Sequence, residues 1–297
     1  MASVSVIGAG RIGTPLMTCL AAAGHNVAGT DIRPGRRGAV EQAGATWLPD
    51  AAAAAAGAEE VITVLPGCPE LRELALGSGY LLSGLAGGAT WIDLTSASFE
   101  LGQECAAAAR ASGVAYLDAP VGGGVAAMRA AAVTLYVGGD LRVLATAEPV
   151  LRSFAAAIYH VGGPGSGYLT KLLINLLWFG QAVLTTEALL LARHHGQSPG
   201  RLREVLAGSA GDGAFAARHL RALLEGDYLR DFGLDRCVEE LDAVERSAAA
   251  AGIPHPVTSA VAALHRSALD HYGAVDGELL AAAWLEEQAG MRLREDR

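Results

Sequence analysis

The chain opens with a short apolar run, residues 4–7, that stops at Gly8-Ala9-Gly10-Arg11-Ile12-Gly13 and resumes as an alanine-rich stretch. No other feature restricts the fold as much. Glycines at these spacings fit a strand that turns sharply into a helix: Gly8 permits the turn, Gly10 keeps the backbone bare, and Gly13 lets helix and strand pack closely. Such a turn aims the first helical N–H groups and the positive end of the helix dipole at a common point, which suits a phosphate. The next β-rich run, NVAGT, ends at Asp31, where a carboxylate would accept ribose hydroxyls. Together they predict a βαβ unit that holds a dinucleotide.

The alternation continues. VITVL, TWIDLT, VAYLDAP and VTLYVGG read as further strands, with helical stretches such as residues 11–23 and 100–111 between them. Strands alternating with helices imply parallel pairing through right-handed crossovers. The alanines at 51–56 are good helix formers. At Gly162, Gly163, Pro164, Gly165 and Gly167 the character changes to a hinge, and no strand is expected from Ser166 onward. One long apolar helix should run to about residue 194, followed by four or five amphipathic helices separated by Gly/Pro turns. The expected architecture is a Rossmann-type, doubly wound parallel sheet over residues 1–163. An all-helical domain over 164–297 should follow, joined to it by the long helix.

Composition excludes several classes. The net charge is −9 and no basic stripe appears, which argues against a general nucleic-acid binder. Cys19, Cys68, Cys105 and Cys237 lack metal-ligand spacing and read as reduced thiols of a cytoplasmic protein; the eight histidines show no metal grouping, and most read as surface or capping residues. Residues 169–192 are apolar enough to suggest a membrane span but include Lys171, Asn175, Gln181 and Glu187, which are costly in lipid. A buried helix of a soluble protein is expected there, and no membrane partner. The first strand begins almost at Met1 and runs straight into the glycine motif, so an ordinary secretory signal is not expected.

For the cofactor, the expected contacts are Gly8, Gly10, Arg11, Ile12, Gly13 and Asp31, with Leu65 and Pro66 beside the adenosine. Asp31 repels a 2′-phosphate and favours NAD, whereas Arg33, Arg36 and Arg37 just beyond could pair with one and admit NADP. NAD is the expected cofactor, with NADP left open.

Lys171 is the one lysine among 22 Lys and Arg residues. Arginine is always charged, but a lysine can lose its proton when buried and so act as acid or base. Asn175, four residues on, shares its helix face.

These segments resemble the β-hydroxyacid dehydrogenase family, which includes 3-hydroxyisobutyrate, tartronate semialdehyde and 6-phosphogluconate dehydrogenases. The resemblance runs in order through GAGRIG, LPGCPELRE, IDLTSAS, DAPVGGG, VGGD and GSGYLTKLLIN. It implies an NAD(P)-dependent oxidoreductase acting on a β-hydroxy acid or related alcohol, dimeric through its helical domain. It further implies that Lys171 is the general acid/base and that Asn175 meets the same substrate oxygen. Burial beside a cationic nicotinamide would favour the neutral amine. The loop at 118–124 is then the substrate loop, with Gly122, Gly123 and Gly124 offering N–H groups to a carboxylate. Thr95 and Ser96 lie at the nicotinamide, with Ser96 also touching substrate.

Three positions depart from the family. Its D-A-P-V-S-G-G serine is Gly122. Its Ser-Thr-x-x-Pro appears as Thr95-Ser96-Ala97-Ser98-Phe99. The lysine and aspartate of its K-D-L fall on Glu239 and Glu240, so a positive charge at the cofactor has become negative. Losing a serine and a lysine weakens two contacts to a substrate anion and leaves room for a neutral or cationic substrate. Imine reductases, similar in architecture, form the alternative, although they usually carry Asp or Tyr at the Lys171 position. A non-catalytic dinucleotide-binding protein is a third reading.

Overall fold

The computed structural model describes residues 1–77 and 80–294. Strand β1 (Ser3–Ile7) is buried along almost its whole length. Such burial suits the middle of a sheet covered on both faces. It lies between β2 (Asn26–Thr30) and β4 (Glu60–Thr63), parallel to both. The two-residue β3 (Thr46–Trp47) extends the sheet beyond β2, and β5 (Thr90–Asp93) and β6 (Ala115–Asp118) extend it beyond β4. The order β3-β2-β1-β4-β5-β6 changes direction between β1 and β4. A doubly wound sheet opens its ligand crevice at that point, at the strand C-termini.

Helices α1 (Gly13–Ala22), α2 (Arg37–Gln42), α3 (Ala51–Ala55), α4 (Cys68–Leu76), α5 (Tyr80–Gly84) and α6 (Phe99–Ala111) make the connections. Side chains alternate across each strand, and the buried residues divide accordingly. Val6, Leu16, Ile62, Ile92 and Leu117 belong to one core; Leu71, Leu101 and the strand neighbours Val61, Trp91 and Tyr116 belong to the other.

The sheet is not wholly parallel, as the alternation had implied. After β6 the chain forms β7 (Val121–Gly122), the six-residue α7 (Gly124–Arg129) and β8 (Val133–Gly139). Strand β8 pairs antiparallel with both β6 and β7. A parallel crossover takes a dozen or more residues; α7 is too short and returns the chain beside its own strand. Helix α8 (Leu141–Leu151) then leads to β9 (Ala155–Gly162), parallel to β8. Residues 155–157 are alanines, which favour helix, yet pairing with β8 overrides that preference.

The chain divides into two compact units, Met1–Lys171 and Leu172–Arg297, the division falling within α9 (Ser166–His194). In the second unit the rest of α9 is followed by α10 (Pro199–Leu206), α11 (Ala214–Arg218), α12 (Leu220–Glu225), α13 (Leu234–Ala250), α14 (Pro256–Tyr272) and α15 (Leu280–Gln288). That is six further helices among the described residues, against the four or five expected. Phe179 and Val183 of α9 pack with Leu234, Cys237, Leu241 and Val261, while Leu189 belongs to a second core with Phe215, Leu220 and Leu223.

Helix α9 is not simply a buried helix. Leu177, Leu184 and Leu191, seven residues apart, are 64%, 67% and 62% exposed. A seven-residue spacing keeps them in one stripe. It is long and apolar enough to cross a membrane by length and composition.

Candidate active site

The glycine turn has the geometry its spacing predicts. Gly8 has φ +105°, and a side chain there would begin 2.1 Å from the Val64 carbonyl oxygen; one on Gly13 would begin 1.8 Å from the Gly8 carbonyl oxygen. Neither position tolerates a Cβ. At Gly10, by contrast, nothing lies within 4 Å of a built Cβ. Backbone and helix start are therefore bare on that side, which is the room a pyrophosphate needs.

Asp31, 9% exposed at the end of β2, is held at this turn: its Oδ2 accepts the Ala9 N–H at 2.8 Å. Its Oδ1 accepts the Arg33 N–H at 2.9 Å and Nε–H at 2.8 Å. Burial works to raise the carboxyl, but these hydrogen bonds outweigh it and leave its pKa below the ordinary value. Arg36, legible in sequence only as a charge, donates through Nε to the Ala9 carbonyl at 2.7 Å and through Nη2 to Thr14 Oγ1 at 3.2 Å. Its guanidinium braces the glycine turn from outside. Arg11 is exposed and Ile12 half-buried.

The loops after β4 and β5 are tied together. Leu65 N–H donates to Thr95 Oγ1 at 3.1 Å, and Thr95, 1% exposed, receives its own position from Asp93, whose Oδ1 accepts the Thr95 N–H at 2.6 Å. The Thr95 hydroxyl thus faces the end of β4 and fixes Leu65, with Pro66 exposed beside it; Ser96, next in the loop, is half-buried. Ser98 caps α6 by accepting the Leu101 N–H at 3.2 Å. Burial pushes the Asp93 carboxyl up to about 7, opposed by its hydrogen bonds to Thr95.

Asp118 faces Asp93 across the β5–β6 pair and is fully buried. Its two oxygens accept the N–H groups of Gly165, at 2.8 Å, and Tyr168, at 3.1 Å, just before and within the first turn of α9. Carboxylates favour helix N-termini because they satisfy orphan N–H groups and complement the dipole. The Tyr168 and Tyr116 hydroxyls lie 2.8 Å apart, adding a buried polar link to β6. The start of α9 is therefore bound into the sheet, and half-buried Lys171 follows one turn later. Within the loop at 118–124, Gly123 and Gly124 have φ of +102° and +66°.

In the second unit Asn175 Nδ2 donates to Glu240 Oε2 at 2.5 Å, and Glu240 is 6% exposed. The position matching the family's aspartate keeps a carboxylate, which orients the asparagine. Glu239 pairs with Arg236 at 2.7 Å, one turn earlier on α13. The charge reversal read from the sequence is thus offset by a neighbouring guanidinium.

Other polar residues settle into structure. His219 packs edge-on against Trp178, with centroids 5.4 Å apart, and Tyr228 donates to Glu286 at 2.6 Å. His265 is 1% exposed beside Phe179, and burial lowers its pKa to about 4. Asp93, Asp118 and Tyr168 were not recognised as site-building residues. Each lies inside a motif that carries the resemblance, IDLTSAS, DAPVGGG or GSGYLTKLLIN, but nothing in the sequence showed which partners they hold.

The family described as the NAD binding domain of 6-phosphogluconate dehydrogenase matches residues 3–162, and the family described as NAD-binding of NADP-dependent 3-hydroxyisobutyrate dehydrogenase matches residues 165–284. A 3-hydroxyisobutyrate dehydrogenase from Pseudomonas aeruginosa is 37% identical over 212 residues, 71% of each chain. The solved structure of Mycobacterium tuberculosis 3-hydroxyisobutyrate dehydrogenase with L-serine has a TM-score of 0.88 at 28% identity, covering 96% of this chain and 99% of that one. An imine reductase variant from Myxococcus stipitatus in complex with NAD+ has a TM-score of 0.66 at 20% identity, covering 96% of this chain and 99% of that one, and shares the fold alone. The chain belongs to the β-hydroxyacid dehydrogenase family and is an NAD(P)-dependent hydroxyacid dehydrogenase.

Proposed function

We propose that this enzyme oxidises the 3-hydroxyl of a short 3-hydroxy carboxylate, with NAD as preferred acceptor and Lys171 exchanging the hydroxyl proton. The observation that carries this reading is Asp118. It begins the substrate loop, and its carboxylate receives the Gly165 and Tyr168 N–H groups at the start of α9. One side chain thus ties the loop to the helix that bears Lys171 and Asn175.

When bound, the nicotinamide supplies the hydride acceptor. Lys171, as the amine, takes the hydroxyl proton during oxidation and returns it during reduction. Asn175, turned by Glu240, holds the same oxygen and limits its freedom. Ser96, Gly122, Gly123 and Gly124 contact the substrate in this reading. Gly8, Gly10, Arg11, Ile12, Gly13, Asp31, Arg33, Leu65, Pro66, Thr95, Ser96 and Glu239 hold the cofactor. The preference for NAD rests on Asp31, fixed by the Ala9 N–H at 2.8 Å. Residues 1–163 serve the dinucleotide and 164–297 the substrate and subunit association.

Nicotinamide absorbance followed with 3-hydroxyisobutyrate, L-serine, their aldehydes and cyclic imines tests the reading. The expected outcome is turnover of a hydroxy acid that falls about a thousandfold in Lys171→Arg, with cofactor binding retained. Full activity in Lys171→Arg, or imine reduction alone, sinks it.

The stripe of Leu177, Leu184 and Leu191 supports a homodimer through the helical domain. A monomer in sedimentation at micromolar concentration would refute that. Four cysteines, none of them in a disulfide, support a cytoplasmic location; recovery of the native protein in a periplasmic or secreted fraction would refute it.

A further inference from the structure

Gly122 stands where the family carries a serine, and another side chain fills the space beside it. A Cβ built on Gly122 would lie 3.1 Å from the Tyr136 hydroxyl and 3.2 Å from its Cε2. The two residues are neighbours by pairing: Gly122 on β7 is opposite Thr134 on β8, two residues before Tyr136. The Tyr136 N–H also reaches the Pro120 carbonyl at 3.3 Å. The same residue touches the start of the long helix, since a Cβ on Gly167 would begin 2.3 Å from the Tyr136 carbonyl oxygen. Tyr136 therefore sits where the substrate loop meets the first turn of α9.

The Tyr136 ring is half-buried and stacked on Tyr159, with centroids 6.4 Å apart and planes inclined by 15°. Its hydroxyl has no hydrogen-bond partner among the described residues. A half-buried phenol hydroxyl without a protein partner is free to donate to solvent or to a ligand that reaches the loop. Burial and the neighbouring Tyr159 hydroxyl raise the phenol's pKa above its ordinary value. At neutral pH it is a donor.

We propose that Tyr136 donates the hydrogen bond to the substrate carboxylate that the serine-to-glycine change at position 122 removed, so the substrate stays a 3-hydroxy carboxylate. The proposal rests on the hydroxyacid dehydrogenase reading of the site. Its core is steric crowding: a Cβ at 122 would sit 3.1 Å from the Tyr136 hydroxyl, so a serine there must push the ring aside by a few tenths of an ångström, and the two hydroxyls compete for the space beside the loop.

Steady-state kinetics with NAD and either 3-hydroxyisobutyrate or L-serine, whichever the unaltered enzyme turns over faster, provides the test. Tyr136→Phe keeps the ring and should raise KM about tenfold with kcat within about twofold, the pattern of lost uniform binding. The matching 3-hydroxy carboxamide should show no such change. Gly122→Ser alone should lower kcat/KM by crowding Tyr136. In a Tyr136→Leu background the same Gly122→Ser should raise it about tenfold, restoring a hydroxyl where room now exists. An unchanged KM in Tyr136→Phe overturns the proposal, as does an effect of Gly122→Ser with the same sign in both backgrounds. If the unaltered enzyme turns over neither acid, the carboxylate reading and this proposal fall together; if it turns one over and only Tyr136 is silent, this proposal alone falls.

Discussion

The Asn175 side-chain amide donates to the Glu240 carboxylate at 2.5 Å, across 65 residues of sequence. A carboxylate only accepts, so this contact decides which end of the amide is nitrogen and which way its carbonyl points. That Asn175 shares a helix face with Lys171 was legible from their spacing; its orientation was not.

If Glu240 positions Asn175, then Glu240→Ala should lower kcat about tenfold, roughly 1.4 kcal/mol of barrier, with cofactor affinity unchanged. Glu240→Gln, which can still accept from Asn175 but also permits the flipped amide, should recover part of that loss. Equal kcat in all three proteins would show that the contact only packs the helices.

If Asp31 and Arg33 set the cofactor ratio between them, changing either should shift it. Their ion pair, at 2.8 Å, couples an exposed guanidinium to a buried carboxylate. Arg33→Ala should raise KM for NADP about tenfold more than KM for NAD, by removing a cation able to meet a 2′-phosphate. Asp31→Asn should shift kcat/KM toward NADP by about tenfold, by removing the repelling charge. A kcat/KM ratio indifferent to both changes would place discrimination elsewhere.

Two buried groups predict opposed effects of pH on stability. Burial, with Glu59 nearby, raises Glu60 in β4 from 4.5 to about 7. A raised folded-state pKa means this stability is complete below 4.5 and is lost as pH rises through 7. Removing the charge in Glu60→Gln should therefore stabilise the protein at pH 8 by up to about 3 kcal/mol, and by much less at pH 4.5. His265 runs the other way. Its pKa is lowered from 6.5 to about 4, so its stability is complete above 6.5 and is lost as pH falls toward 4. Thermal melts across this range should show a steeper acid-side fall in Glu60→Gln than in the unaltered enzyme; parallel curves would refute the assignment.

Much of the fold was legible because it is local. A strand, a glycine turn and a helix adjoin in sequence, so Gly8, Gly10 and Gly13 announce their roles without knowledge of any distant residue. The antiparallel hairpin was not legible. Val121 and Gly122 are too short a run to show strand periodicity, and Ala155–Gly162 begins with helix-favouring alanines and ends in glycines that read as a hinge. Only the hydrogen bonds offered by β8 made strands of them.

By itself, then, the sequence determined a doubly wound nucleotide-binding sheet followed by helices, a carboxylate at the end of its second strand, and a lysine and an asparagine one helical turn apart. Those follow from spacing along the chain. Tertiary structure alone decided which groups hold these residues in place: Asp118 at the start of α9, Arg36 against the glycine turn, Glu240 on Asn175, and Tyr136 in the volume beside Gly122. Each joins segments far apart in sequence, and such pairs form only when sheet register and helix packing bring two surfaces within hydrogen-bonding or van der Waals distance.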